Sequence, residues 1–349
     1  MYRLVELSDA SRSEWSAFAE RHGTAFHALA WKDVLERSFG YRGLYLILRD
    51  DRDGTIAALL PLMVGRNLRG RRVAVSLPFV NDLDLCCRDA EAFDALALEL
   101  EHIPRTYGLS YLEVRLRTQE LPDAAAAVNR NHCTFTLELE RGEENLLAAC
   151  SSSNRNHIRK AYRRGLFTTQ VDDADLTSFY RVYARRQKQL GSPAPGIEFF
   201  RRIRAALPEQ TTVLTVVEGD HGATVAGMFL VATGDTLRYL WGGSDIAYNR
   251  HHVNAFMYWE AVRYGLARGF RSLDLGRSSK SSGRSGTFAF KAQFGAAEEA
   301  LSYHRFSAGA ARTFADDRTG MSTPIEIWKR LPSVVTDPLG AFLIRYVLP

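Results

Sequence analysis

The feature that most constrains this 349-residue chain is that it reads twice. Tyr45–Val64, YLILRDDRDGTIAALLPLMV, and Val213–Ala232, VLTVVEGDHGATVAGMFLVA, each run from an apolar strand through an acidic, glycine-containing turn into a second apolar strand, the pattern of a β-hairpin. His102–Leu116, HIPRTYGLSYLEVRL, and Val262–Arg277, VRYGLARGFRSLDLGR, each close a helical pattern at a glycine, Gly108 or Gly269, and then enter a short alternating strand. Both strands carry an acid near the middle, Glu113 in one and Asp274 in the other. The matching pieces lie about 160 to 170 residues apart, a period of domain size and not of a solenoid. The sequence therefore predicts two copies of one α/β unit, each with a helix-rich start, a hairpin or meander, a helix and a crossover strand. The length fits, because a chain this long exceeds what one core usually holds. The boundary is expected in Arg141–His157, where the strand CTFTLELE gives way to a helical segment, so that the domains are 1–145 and 146–349.

The bulk properties narrow the class. Hydrophobic residues make up 46% and charged residues 24%, which is globular and not disordered. A formal net charge of +5 is too mild to declare a nucleic-acid binder, so the distribution of charge matters more than its sum. The four cysteines, Cys86, Cys87, Cys133 and Cys150, form no C-x-x-C pair and have no histidines at metal-ligand spacing, so neither a disulfide framework nor a bound metal is expected, and the chain reads as cytoplasmic. The N-terminus has no basic segment followed by an apolar one, and no run approaches the roughly 18 apolar residues of a membrane span. The apolar C-terminal DPLGAFLIRYVLP, within 321–349, is expected to pack back on the N-terminal domain, with a membrane surface as the alternative.

Three stretches carry candidate chemistry. Ser151–Phe167, SSSNRNHIRKAYRRGLF, begins with N-cap serines and meets Gly165 where a helix should stop; Arg155, Arg159 and Arg163 recur at i, i+4, i+8 opposite Ile158, Ala161 and Tyr162. Such a basic face suits phosphates on tRNA, a nucleotide-linked sugar or an anionic lipid, and equally a solvated surface. Asn254–Phe270, NAFMYWEAVRYGLARGF, places Glu260 among apolar residues, where a carboxylate must be ion-paired or protonated. After the strand SLDLG comes Arg277–Gly286, RSSKSSGRSG, in which glycine opens backbone N–H groups toward an anion and Arg277, Lys280 and Arg284 add charge; a plain surface loop reads the same way. Then Ser285–Ala296, SGTFAFKAQFGA, sets Lys291 among Phe288, Phe290 and Phe294. Either the lysine stem packs on the rings and its charge reaches water, or the ammonium meets an anion or a developing oxyanion at a cleft edge.

The run NAFMYWEAVRYGLARGFRSLDLGRS followed by GTFAFKAQFGA resembles the signature of FemAB-type transferases, within the Gcn5-related acyltransferase (GNAT) superfamily. The D-x-G-R-S then F-x-F-K-x-x-x-G arrangement is closest to the exosortase-associated FemAB-like branch, and FHALAWKDVLERSFGY, SLPFVNDLDL, YLEVRL and NRNHIRKAYRRG fit it, so the likeness spans nearly the whole chain. The resemblance implies an α/β (α+β) chain of two tandem GNAT-like domains, each a mixed twisted sheet flanked by helices. It implies transfer of an acyl or aminoacyl group from aminoacyl-tRNA or acyl-CoA, neither tightly held as a cofactor, to an amine or hydroxyl of a peptidoglycan or exopolysaccharide precursor, small or lipid-linked. Lys291 matches the family lysine near the donor's reacting end. Arg277, Asp274 and Glu260 are its expected catalytic company, and Phe290, Lys280, Arg284 and Asn254 the donor-binding set. Trp31, Lys32, Asn81, Asp82, Arg155, Arg159 and Arg163 are the candidates for the acceptor or for phosphate. Peptidoglycan-acting members show W-x-x-x-K near the N-terminus; here Trp31 is followed four residues on by Leu35, and the nearest lysine is Lys32.

No Ser-His-Asp or Cys-His set with interpretable spacing is visible, so direct attack without an acyl-enzyme is expected. Positioning alone supplies on the order of 7–11 kcal/mol at best, and an ammonium at the developing oxyanion supplies more. Two alternatives remain. One is an N-acyltransferase using acyl-CoA, although the pyrophosphate-cradling Q/R-x-x-G-x-G/A pattern is absent from both halves and YNRHHVNAF stands at its place in the second. The other is a non-catalytic module that binds RNA or the inner face of a membrane through the basic helix.

Overall fold

The computed structural model describes residues 1–121, 126–172, 176–220, 222–280, 286–309 and 322–348. Its strands are β1 (Tyr2–Glu6), β2 (Arg42–Asp50), β3 (Ile56–Arg66), β4 (Arg72–Val75), β5 (Cys86–Cys87), β6 (Tyr111–Leu116), β7 (Ala127–Glu138), β8 (Phe167–Val171), β9 (Thr211–Glu218), β10 (Thr224–Thr233), β11 (Thr236–Ser244), β12 (Ser272–Asp274), β13 (Ser278–Ser279) and β14 (Ala297–Ser307). Its helices are α1 (Arg12–His22), α2 (Leu29–Phe39), α3 (Ala90–Glu99), α4 (Ile103–Thr106), α5 (Glu143–Ala149), α6 (Ser152–Arg164), α7 (Leu176–Gln189), α8 (Ile197–Ala206), α9 (Val253–Ala267), α10 (Thr287–Ala292), α11 (Ser322–Arg330) and α12 (Ser333–Leu343).

The chain divides into two compact units, one of Met1–Arg130, Leu301–Thr319 and Phe342–Pro349, the other of Asn131–Ala300 and Gly320–Ala341. In the first unit the strand order is β1-β2-β3-β4-β6-β14, and in the second it is β8-β9-β10-β11-β12-β7. The directions also correspond: β4 is parallel to β6 as β11 is to β12, and the sixth strand is antiparallel in both. The duplication read from the sequence is thus a duplication of topology.

The sixth strand of each unit does not come from the repeat that precedes it. β7 follows β6 along the chain yet pairs with β12, while Ser302–Ser307 of β14 follow β12 yet pair with β6. For this reason a single cut between 145 and 146 does not describe the units. The C-terminal tail is also divided: 342–349 belong to the first unit and 320–341 to the second.

Within each unit helices cover both faces of the sheet, as the near-continuous apolar runs of β3 and β10 require. In the second unit Ala226, Met228 and Leu230 of β10 join the core made with α6 and α9. Phe229 of β10 turns the other way, 6.0 Å between ring centroids from Phe179 of α7 and 5.4 Å from Phe200 of α8. In the first unit Leu44, Leu46 and Leu48 of β2 pack with Ala92 and Leu96 of α3, while Tyr45 meets Trp15 of α1 at 4.9 Å. The pair Cys86–Cys87 is a short strand on β3, and burial pushes both thiols up to about 12, which makes them packing residues and poor nucleophiles. Among the described residues no helix is long and apolar enough to cross a membrane.

Candidate active site

In the second unit β12 ends at Asp274, and the chain turns sharply at Gly276 (φ 81°). The turn has no room for a side chain: a Cβ on Gly276 would stand 2.6 Å from the carbonyl oxygen of Tyr239 and 3.7 Å from Lys291 Nζ. Both the left-handed backbone and the close approach therefore select glycine. The turn aims two successive carbonyls at one point. Lys291, on the one-and-a-half-turn helix α10, donates to the Gly276 oxygen at 2.7 Å and to the Arg277 oxygen at 3.0 Å.

Lys291 is 4% exposed, so its nitrogen does not snorkel to water and does not stand in an open groove, as both readings of the sequence had it. The aromatic residues around it explain why. Tyr258 of α9 lies 5.1 Å from Phe290 and 5.6 Å from Phe294, and Phe290 lies 5.3 Å from Phe294, so the rings form an aromatic wall that joins α9 to the segment carrying the lysine. Phe290 is half-buried in that wall. Burial lowers the Lys291 ammonium from 10.5 to about 8, with Asp274 the main opposing influence. Asp274 is itself held: Thr134 Oγ1 and the Gly276 N–H, at 2.7 Å, both donate to its Oδ1. A protonated lysine has three N–H donors, and the two carbonyls occupy two. The arrangement thus fixes one ammonium by backbone, with a carboxylate nearby and, among the described residues, one donor without a partner.

The structure assembles part of the expected set. Lys291, Asp274 and the backbone of Arg277 come together; the Arg277 side chain is exposed. Lys280 pairs with Glu298 at 2.9 Å. Arg284 lies outside the described residues. Glu260 does not join them: it accepts from Tyr162 Oη and, at 3.2 Å, from Arg263, so it ties α9 to α6 as an ion-paired carboxylate.

The basic helix exists with the caps read from sequence, Ser151 accepting from Asn154 N–H and Gly165 left-handed at φ 58°. Its three arginines divide. Arg155 turns back through Nη1 to the carbonyls of Ala148 and Cys150 and so caps α5. Arg159 and Arg163 are exposed and, with Lys160, have no acidic partner among the described residues. Beside them Arg164 donates toward His251 at 2.9 Å and His157 stacks on His252 at 4.2 Å. His252, left-handed at φ 63°, precedes the first turn of α9; burial and then the charges of His157, Arg164 and Lys160 hold its imidazole below the usual range. Asn254 stands in that first turn and donates to Asn249 at 3.2 Å. The cationic face thus continues from α6 to the N-terminus of α9, where the helix dipole adds to it.

Trp31, Lys32 and Asn81 make contacts inside the first unit. Trp31 is fully buried, with its indole N–H on the Ala25 carbonyl, so it offers no face to an acceptor. Lys32 pairs with Glu36 at 2.8 Å within α2. Asp82 is buried, and the Asn81 carbonyl accepts from Tyr303 at 2.9 Å. The residues missed by sequence reasoning are Gly276, Tyr239, Tyr258 and Thr134. Gly276 was visible within the D-x-G-R-S motif, whereas the other three carry no local signal.

A twisted mixed sheet between helices, with an interior strand pair running parallel and the whole repeated, defines a tandem GNAT fold. Residues 150–292 match the family model of the acetyltransferase (GNAT) domain. Residues 150–292, within the second unit, accordingly carry a domain of the GNAT acyltransferase superfamily. None of the curated proteins matches it in sequence. Among solved structures it is similar to FemX (14% identity, covering 87% of this chain and 97% of that one, TM-score 0.60). It is also similar to L-PGS from Bacillus licheniformis (14%, 93% and 97%, TM-score 0.55) and to a tandem GNAT protein from the clavulanic acid biosynthesis pathway (12%, 89% and 100%, TM-score 0.55). At such identities the likeness is one of fold.

Proposed function

We propose that this chain is a FemAB-like transferase that moves an acyl or aminoacyl group to an amine or hydroxyl of a cell-envelope precursor, peptidoglycan or exopolysaccharide, at the inner face of the cytoplasmic membrane. The observation that carries the reading is Lys291, buried and held by two carbonyls with a third N–H to spend. As the acceptor attacks, the donor carbonyl oxygen gains negative charge, and the Lys291 ammonium, buried in the free protein, donates to it once the donor's reacting end has displaced the cover over that nitrogen, in a site of low dielectric. Asp274 and the Gly276 turn orient that ammonium. The tetrahedral intermediate then collapses with expulsion of the donor's leaving oxygen or sulfur, and the proton lost by the acceptor balances the leaving group.

The donor carries phosphate, and Arg159, Lys160 and Arg163 with the first turn of α9 form the face that holds it. Aminoacyl-tRNA is the preferred donor; acyl-CoA is the second reading, favoured by the acetyltransferase family match. Calorimetry with charged tRNA, uncharged tRNA and CoA at two salt concentrations separates them. Salt-sensitive binding that depends on the aminoacyl group supports the first donor and CoA binding the second. RNA binding indifferent to charging, with no transfer to any envelope precursor, would refute both.

A further inference from the structure

The first unit contains a pocket of about 370 Å³ that the reading above leaves unused. Its wall includes Arg42, Arg66, Arg72 and Arg345, with Tyr41 and Tyr346. Four arginines line this space, and among the described residues no acidic one does. Among the described residues the carboxylate bonded to one of them is Glu6, 3.1 Å from Arg42, with both side chains about half exposed. Arg66 and Arg72 each give one Nη1–H to a backbone oxygen, that of Gly70 at 2.9 Å and that of Tyr107 at 2.9 Å. Those bonds fix the two side chains and leave the other donors of each fork available. Arg345 makes no hydrogen bond through its guanidinium among the described residues, and its Nε is buried without an acceptor. A buried donor of this kind costs stability unless something accepts from it.

The pocket is built from three segments. Tyr41 donates to the Arg345 carbonyl at 3.0 Å, and Leu348 is buried against Gly65, where a Cβ would stand 2.6 Å from the leucine methyl. Those contacts hold the C-terminal segment over β3. The turn between β3 and β4 is rigid as well: the Asn67 side chain accepts from Arg69 N–H and Arg71 N–H, both at 3.1 Å, and Gly70 is left-handed at φ 73°. Apolar side chains flank the rim. Leu68 at the turn is 50% exposed, and Phe342 and Val347, on either side of Arg345 and Tyr346, are 50% and 43% exposed. Arginine forks suit phosphate oxygens in particular, because they bind two at a time.

We infer that this pocket holds the phosphate group of an anionic amphiphile, with the arginines on the phosphate and Leu68, Phe342 and Val347 against its hydrocarbon. The inference does not depend on the acyl-transfer reading, since none of these residues belongs to the second unit. The test is co-sedimentation of the full chain with phosphatidylcholine vesicles containing or lacking phosphatidylglycerol, together with calorimetric titration of inorganic pyrophosphate. Arg345→Ala and Arg66→Ala are the variants; the first also removes the guanidinium that lies 4.9 Å over the Phe342 ring, the second is at an exposed side chain, and the Arg345 carbonyl that anchors the segment is untouched. Binding to the anionic vesicles should weaken at least about tenfold in each variant, with an unchanged melting temperature, and persist in Arg159→Ala/Arg163→Ala. Pyrophosphate binding lost in the same two variants, without vesicle binding, would keep the pocket and make its ligand a soluble phosphate. Binding of neither probe, or binding that ignores Arg345 and Arg66, would overturn the inference.

Discussion

Glu113 and Asp274 occupy the same place in the two units. Each is the third paired residue of its parallel ladder, Glu113 opposite Val75 and Asp274 opposite Arg238. The surroundings of the two acids differ. Glu113 is saturated by Arg305 at 2.8 Å and Arg115 at 3.0 Å, both in the first unit. Asp274 accepts from a hydroxyl and a backbone N–H and sits by an ammonium held by carbonyls. One copy of the duplicated position has become an ion-pair network, and the other keeps a cation whose third donor has no partner among the described residues. That contrast is why the proposed transfer is assigned to the second unit.

Lys291→Met should abolish transfer, with a loss of at least about 10²-fold in kcat, the scale of one oxyanion donor. Methionine keeps most of the volume, so the aromatic wall stays filled. Either substitution leaves the Gly276 and Arg277 carbonyls without this donor; alanine would add a cavity and so confuse folding with chemistry. Circular dichroism with a transfer assay checks the result; full activity in the folded methionine variant removes Lys291 from the mechanism.

The Lys291 ammonium also predicts two pH effects of opposite sign. Transfer should fall as pH rises through about 8, because the neutral amine is a weaker donor to an oxyanion. Stability should move the other way. The folded lysine releases its proton near 8, while the unfolded one keeps it up to about 10.5, so between these values the unfolded chain binds more protons and stability rises with pH. Below 8 both states are protonated and the cost of burying the charge is fully present. Urea midpoints of the wild type and Lys291→Met, compared at about pH 7 and about pH 10, isolate this contribution; equal pH dependence in the two proteins would contradict it.

Gly276→Ala should cost about 1–3 kcal/mol and most of the activity. The cost comes from a side chain at φ 81° and a 2.6 Å contact with the Tyr239 carbonyl; the lost activity comes from moving the oxygen that fixes Lys291. Chemical denaturation and kcat together check it, and an alanine variant of native stability would show that the turn has slack.

Much of this was legible in the sequence. The paired hairpins, the left-handed Gly108, Gly165 and Gly269, and the matched acids depend on local backbone chemistry, which residue type reports directly. The origin of the sixth strands was not legible, because β7 and β14 have the same local pattern whichever sheet they join, and pairing is decided by packing. For the same reason Arg155 and Arg159, one helical turn apart on one stripe, looked alike: what separates them is whether the carbonyls of α5 are within reach. Lys291 was picked out by its aromatic neighbours, but its depth depends on Tyr258, contributed by another helix.

Arg305→Met should destabilise the first unit by about 3–5 kcal/mol, since Glu113 is 1% exposed and would keep its charge with one partner fewer. Adding Glu113→Gln should recover part of the loss, because the uncompensated charge is then gone. Urea denaturation of the single and double variants measures the coupling, and additive losses would show that the two side chains act independently.

The last expectation concerns the cationic face. If Arg159 and Arg163 meet donor phosphates, Arg159→Ala/Arg163→Ala should weaken tRNA binding and flatten its dependence on salt by roughly 0.7–0.9 in the log–log slope for each phosphate no longer neutralised. Arg155→Ala should do neither. It should instead lower stability by about 1 kcal/mol, because its guanidinium serves the carbonyls of Ala148 and Cys150. Three arginines spaced four apart on one helix thus separate into a structural one and two binding ones by a single kind of titration. A uniform effect of all three on the slope would mean that Arg155 leaves α5 to reach the nucleic acid, and no effect of any would leave α6 a solvated face.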